Sequence, residues 1–252
     1  MLTVDLGNSR LKAGRWRRVG TKFERADGFE DAGDALDGFE RWLARAPASA
    51  AALASVAAPE RTARVRALLA NACERVFVAP ASGLDNRCRE PERVGADRLY
   101  AAAGAAELLA RSCLVVDAGT ALTVDALRIQ GAVRAFLGGA IAPGPQLAAA
   151  ALASGTARLP RIEPRPGARA LGTVTEAAIQ AGVVVGFRGA AARLVEELAR
   201  EAELGDAPVV LTGGAREFLL VPGPFTERRL EVVPELVQRG LLVALVRAAE
   251  TT

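Results

Sequence analysis

Apolar residues in this chain fall into short runs separated by polar turns, and the spacing within each run predicts alternating strands and helices. Residues 1–4 form an apolar strand that runs into Asp5. Gly7 and Asn8 then mark a tight turn before a second strand over 10–16. Residues 37–46 have helical spacing. The apolar run 50–57 stops before Pro59 and reads as a strand. Residues 60–73 return to helical period through Val65, Leu68, Leu69 and Ala72, and 76–79 give another strand. A polar stretch, 82–94, reads as a loop. The Ala-rich segment 98–111 predicts a helix, with Asp97 placed to cap it. Strands are expected at 113–116, 123–127 and 132–137, followed by a Gly-rich turn over 138–144. Pro145 suits the first turn of a helix reaching 153. Pro160, Pro164 and Pro166 make 154–169 a flexible flap. A long helix follows over 175–202 despite Gly182, Gly186 and Gly189. The strand 209–211 ends in Thr212-Gly213-Gly214, and 234–249 is a terminal helix.

One pattern occurs twice. Leu2-Thr3-Val4-Asp5-Leu6-Gly7-Asn8 resembles Leu114-Val115-Val116-Asp117-Ala118-Gly119-Thr120, the copies beginning 112 residues apart. Each is an apolar strand, then Asp-x-Gly with an amide or hydroxyl residue, then a second apolar run. The period is too long for a solenoid. It points to an α/β protein of two similar lobes facing each other, 1–112 and 113–252, with no low-complexity linker between them.

Composition narrows the chemistry. With 252 residues, 51% hydrophobic and 24% charged, the chain has enough apolar surface for a real core. Histidine is absent, which removes a Ser-His-Asp triad, a His base and any His-ligated metal; proton transfer falls to carboxylates, Lys, Tyr, Cys or water. Cys73, Cys88 and Cys113 form no CxxC and are widely spaced, which argues for a reducing compartment over disulfides or zinc. The net charge of +3 comes from bases scattered singly or in pairs, and only 4% of residues are aromatic, so no nucleic-acid partner is expected. The N-terminus lacks a signal-peptide pattern and the Ala-rich runs are too short to span a bilayer. The expectation is a soluble, cytoplasmic protein without membrane contact.

The repeated hairpin makes sense at a phosphate site. Glycine lets backbone amides approach an oxyanion, and Asn8 or Thr120 adds a donor. A carboxylate such as Asp5 or Asp117 cannot approach phosphate without a cation between them. Two such hairpins, with a third strand end at Leu211-Thr212-Gly213-Gly214-Ala215, fit the phosphates of a nucleotide. Read alone, each hairpin is an ordinary β-turn. Neither a P-loop nor a dinucleotide fingerprint is present.

Taken in order, seven motifs resemble type III pantothenate kinase, a family of the acetate and sugar kinase/Hsp70/actin superfamily. They are DLGNSRLK (5–12), GADR (95–98), DAGTALTVD (117–125), GGAIAPG (138–144), GTVTEAAIQAG (172–182), LTGGA (211–215) and PELVQRGL (234–241). The resemblance implies an actin-like fold, two lobes of mixed sheet flanked by helices with ATP in the cleft between them. The implied reaction is ATP-dependent phosphorylation of pantothenate to 4′-phosphopantothenate, the first committed step of coenzyme A synthesis. It implies Mg²⁺, a monovalent cation (K⁺ or ammonium) and a homodimer. Asp97 matches the family's general base. Gly95, Arg98 and Thr175 match positions around pantothenate. Asp5, Gly7, Asn8, Lys12, Gly119, Thr120, Gly213 and Gly214 match the ATP side. Asp5 would hold Mg²⁺ through water and Asp117 the monovalent cation. Gly138, Gly139 and Gly144 would shape the floor of the site, and Asp125 ends the second hairpin. Read alone, Asp97 and Thr175 are also ordinary helix caps, Arg98 a surface arginine and Lys12 an exposed strand lysine.

Two positions depart from the family pattern. Cys88 stands where the family often has a tyrosine over pantothenate, and Val174 where it has an asparagine. Tyr100 lies on the following helix and is no obvious substitute. Two other readings stay open: a kinase of the same superfamily for another hydroxyl, and an ATP-binding regulatory protein of the same fold. The presence of Asp97 favours the kinase.

Overall fold

The computed structural model describes residues 1–20, 22–32, 36–220 and 223–251. The chain forms two compact units. One holds residues 1–85, 89–110 and the C-terminal helix; the other holds 86–88 and 111–235. The chain passes from the first unit to the second at 110/111. The C-terminal helix, however, groups with the first unit rather than with 113–252.

The first unit is built on a five-stranded mixed sheet. Its strands are β1 (Leu2–Leu6), β2 (Leu11–Val19), β3 (Lys22–Asp31), β4 (Ala48–Ser55) and β5 (Cys73–Val78), in the order β3-β2-β1-β4-β5. β1, β2 and β3 run antiparallel, while β1–β4 and β4–β5 are parallel. Leu2, Val4 and Leu6 alternate to one face of β1 and meet Phe39 and Trp42 of α1 (Asp37–Leu43) and Val65 and Leu69 of α2 (Pro59–Ala72). β3 did not stand out in the apolar pattern because it carries KFERADGFED, the charged surface of an edge strand. β4 is mostly alanine, a strong helix former. It is a central strand between two parallel neighbours, with residues 50–54 fully buried, so packing overrides propensity.

Helix α3 (Ala96–Leu109) packs along the C-terminal helix, which also lies on β1 and β4. The two helices approach backbone to backbone. A methyl group on Gly240 would land on the Tyr100 carbonyl, and one on Gly104 would press on the Leu236 carbonyl. The loop expected over 82–94 contains the two-residue strand β6 (Asp85–Asn86) and a single 3₁₀ turn at Pro91–Arg93.

The second unit repeats the first strand for strand. β7 (Cys113–Ala118), β8 (Ala121–Gln130), β9 (Val133–Pro143), β10 (Val209–Thr212) and β11 (Leu230–Val232) give the order β11-β10-β7-β8-β9, with β6 added beyond β9. β7, β8 and β9 are antiparallel, and β7–β10 and β10–β11 are parallel. The Gly-rich turn expected over 138–144 is instead mostly strand. β9 runs through Gly138 and Gly139 to Pro143, with a register shift opposite Ala126 and Leu127. Gly144 then flanks α4 (Pro145–Gly155).

Helix α5 (Thr175–Glu201) is long and apolar enough to cross a membrane by length and composition. Here Val184, Phe187, Ala191, Val195 and Ala199 are buried against Leu114, Val116, Leu122, Val124 and Leu211 of the sheet, as in the core helix of a globular unit. Residues 156–174 have no regular structure, as the prolines imply, but the segment expected to be a flap is tied down. The Gln180 amide bonds both the N–H and the carbonyl of Arg165, at 3.3 and 2.5 Å. Leu159 and Ile162 pack on Ala149, Ile179 and Val183. The C-terminal helix, α6, spans Leu236–Thr251, two residues beyond the expected start and end.

Candidate active site

In the first unit, Asp5, Gly7, Asn8 and Lys12 belong to one β-hairpin. Asp5 lies opposite Lys12 in the antiparallel register, and the Gly7 N–H closes the loop on the Arg10 carbonyl at 2.9 Å. Thr3 and Asp5 share the face of β1 opposite Leu2, Val4 and Leu6. A buried polar chain runs along that face. The Trp16 indole N–H donates to Thr3 Oγ1 at 2.7 Å, and the Thr3 hydroxyl donates to Gln238 Oε1. Gln238 Nε2 in turn donates to the Lys12 carbonyl at 2.8 Å. The motif at 234–241 therefore braces the Asp5 hairpin from α6. Its glutamine escaped sequence reading because nothing local says which strand it meets.

Gly95, Asp97 and Arg98 sit together at the start of α3. The expected cap is corrected here: Gly95 is the N-cap, and Asp97 is the second helical residue. The Asp97 carboxylate lies back over Gly95 and accepts the Arg98 N–H at 2.9 Å. All three residues are half-buried. Tyr100, two residues after Arg98, is buried with its hydroxyl donating to the Pro80 carbonyl at 2.7 Å; burial pushes this phenol up to about 12.

In the second unit, three of the quoted motifs converge on the Asp117 hairpin. The Gly119 N–H closes the loop on the Ala121 carbonyl at 2.9 Å, matching Gly7 in the other hairpin. Gly144 N–H donates to the Thr120 carbonyl at 3.0 Å, and Ala215 N–H to the Ala118 carbonyl at 2.7 Å. Gly213 has φ +96, and any Cβ there would land on the Ala118 carbonyl and the Asp117 carboxylate. Arg216 holds the Gly213 carbonyl at 2.9 Å, and buried Arg188 holds the Phe218 carbonyl at 2.8 Å, so the turn after β10 is fixed from two sides. Gly214 is exposed at its tip. Asp125 is buried on β8 opposite Gly139.

Thr175 is the first residue of α5 and is exposed; Val174, not Thr175, flanks the helix, and no side chain caps it. Cys88 is half-buried, with its sulfur facing Gly138, and residues 86–88 line the edge of this unit's sheet, where Arg87 N–H bonds the Phe136 carbonyl at 2.9 Å. Among the described residues, no group of three or more Cys, Asp or Glu is placed to hold a metal ion by itself. Single half-buried carboxylates such as Asp5 and Asp117 suit an ion that draws most of its ligands from phosphate oxygens and water, as Mg²⁺ does.

Two solved structures share this architecture over their full length. One is a Campylobacter jejuni protein described as a Baf family transcriptional activator, with TM-score 0.60 and 18% identity over 100% of both chains. The other is a Sinorhizobium meliloti protein described as a 2-dehydro-3-deoxygalactonokinase, with TM-score 0.51 and 16% identity over 98% of both. They show the fold: mixed sheets flanked by helices. A type III pantothenate kinase of Dehalococcoides mccartyi is 43% identical over 163 residues; that match spans 64% of this chain and 58% of the relative. A type III pantothenate kinase of Rubrobacter xylanophilus is 36% identical over 264 aligned residues covering 96% of both. The family model described as type III pantothenate kinase matches residues 1–197, which takes in both aspartate hairpins, the start of α3 and most of α5. With those motifs in place on this fold, the chain belongs to the type III pantothenate kinase family.

Proposed function

We propose that the protein transfers the γ-phosphoryl group of ATP to the primary hydroxyl of pantothenate, giving 4′-phosphopantothenate for coenzyme A synthesis, as a soluble enzyme. The observation that carries this reading is the repeated aspartate hairpin: Asp5 and Asp117 hold the same place on the first strand of two sheets that share one order over five strands. Family membership supplies the acceptor.

In this reading Gly7, Asn8, Gly119 and Thr120 offer backbone and side-chain donors to phosphate oxygens, and Lys12 adds a positive charge. Asp5 would hold Mg²⁺ through water, an ion that supplies charge neutralisation at the β- and γ-phosphates. Asp117 would hold K⁺ or ammonium. Gly214 leaves room on the adenosine side, and Gly213 lets that turn lie against the Asp117 hairpin. Asp97 orients the pantothenate hydroxyl and accepts its proton as the new O–P bond forms and the bond to the ADP oxygen breaks. In a loose transition state the positioning of the hydroxyl by Asp97 matters more than its early deprotonation. Gly95 keeps the approach to that carboxylate open. Arg98 clamps the pantothenate carboxylate. Thr175 contacts pantothenate across a homodimer interface. Exposed apolar residues of the second unit, Ile141, Leu147, Leu171 and Val174, support such an interface.

The test is mass-detected phosphotransfer from Mg-ATP to pantothenate with K⁺, ammonium or Na⁺ in parallel. Phosphopantothenate formed with K⁺ or ammonium and not with Na⁺ is the expected result. Folded, ATP-binding protein that makes no phosphopantothenate with any cation would overturn the choice of acceptor.

A further inference from the structure

We propose that Arg61, on α2, is a positioning residue that shapes the loop between β1 and β2 for phosphate. This rests on the phosphate role given above to the Asp5 hairpin. One terminal nitrogen of Arg61 donates to the Gly7 carbonyl at 3.2 Å and to the Asn8 carbonyl at 3.4 Å. A trans peptide is planar, so its carbonyl and the N–H that follows point in opposite directions. Drawing the Gly7 and Asn8 carbonyls toward the guanidinium therefore turns the N–H groups of Asn8 and Ser9 toward the other side of the loop. Two successive N–H groups on one side make an anion-binding nest. Without Arg61, two carbonyl oxygens are released to rotate toward the phosphate, which they repel.

The arginine is itself held. It lies in the first turn of α2, one residue before Thr62, whose hydroxyl is 2.7 Å from Ser55 Oγ at the end of β4. Ser55 pairs with Leu6, and Val56 N–H bonds the Leu6 carbonyl at 3.0 Å. The first turn of α2 is thus tied to the same strand end that enters the loop. In the second unit the matching hairpin is braced by main-chain donors from Gly144 and Ala215. The two copies of the hairpin carry different braces, and the brace from Arg61 brings a permanent positive charge.

Wild type, R61K and R61M are compared by calorimetric titration with Mg-ATP, by initial rates against ATP and pantothenate, and by thermal melting. Because one nitrogen makes both bonds, a lysine ammonium replaces it, while methionine keeps the stem and loses the donors. R61M is expected to weaken Mg-ATP roughly 10-fold in both Kd and KM, from the loss of two hydrogen bonds to a charged donor, with the pantothenate KM within about twofold of wild type. R61K is expected to recover most of the ATP affinity. Unchanged ATP affinity in R61M, with or without a lower melting temperature, overturns the proposal; so does an R61K as weak as R61M. R61Q replaces R61M in the same comparison if the latter does not fold. Wild type that binds Mg-ATP but leaves pantothenate untouched overturns the acceptor alone, and the titrations still decide on Arg61. Wild type that does not bind Mg-ATP overturns both.

Discussion

Asp97 combines two constraints in one side chain. Its carboxylate accepts the N–H of the next residue at the first turn of α3, so it is oriented before any substrate arrives. Gly95 takes over the N-cap position, which leaves Asp97 inside the helix rather than ahead of it. Asparagine keeps the shape and an acceptor oxygen but cannot take a proton. D97N is therefore expected to bind ATP and pantothenate normally while kcat falls by at least about 100-fold. Steady-state kinetics with separate titrations of both substrates check this; near wild-type turnover would reduce Asp97 to a structural group. The type and spacing of Asp97 and Arg98 were readable in the chain, but the shift of the cap to Gly95 was not. It depends on where the preceding loop turns into the helix, which the rest of the unit sets.

Among the elements, α6 connects the end of the sequence to its beginning. Gln238 and Thr3 are 235 positions apart and hydrogen-bonded, and both are buried. A leucine at 238 would leave the Thr3 hydroxyl proton without its partner and take one hydrogen bond from the Lys12 carbonyl. Each buried unpaired group costs about 1–3 kcal/mol. Q238L is expected to lower unfolding stability by roughly 2–4 kcal/mol, which in a chain of this size is a melting shift of roughly 5–12 °C. Chemical denaturation followed by circular dichroism measures it, and a loss below about 0.5 kcal/mol would contradict the network. Apolar period alone located α2, α5 and both central hairpins. It missed β3 and β11, as well as the two-residue β6. The first is a charged edge strand, and the second is three residues long and recognisable only by its pairing with β10.

Over the whole molecule, two buried groups set an alkaline limit. Burial pushes the Cys113 thiol from 9.0 to about 12 and the Tyr100 phenol from 10.0 to about 12. Both are neutral when protonated, so the folded chain holds these protons more tightly than the unfolded one. Their contribution is complete below pH 9 and is lost as pH rises toward 12, because in that window folding takes up protons. Melting temperature is expected to fall with pH above about 9. C113A is expected to be less stable at pH 8, where its smaller side chain leaves a void, but to show a shallower slope from pH 9 upward. Y100F should flatten the slope from pH 10. Variant curves parallel to wild type would remove these groups as the cause.

The repeat at Leu2 and Leu114 was visible in the chain because both copies solve the same local problem. In each copy a buried strand runs into a carboxylate and a glycine-closed turn, and that chemistry is written in consecutive residues. The convergence of residues 117, 144 and 213 was readable only as three separate motifs. Their contact comes from β7 and β10 pairing in parallel and from β9 carrying its glycines past the hairpin as strand rather than turn. The assignment of α6 to the first unit, the tethering of residues 156–174 and the braces from Gln238 and Arg61 were not readable at all. Each is a hydrogen bond or backbone contact between positions whose separation no local pattern encodes. Long-range packing decided them, because a buried amide or guanidinium goes where unpaired carbonyls are, and only the folded sheet puts those carbonyls within reach.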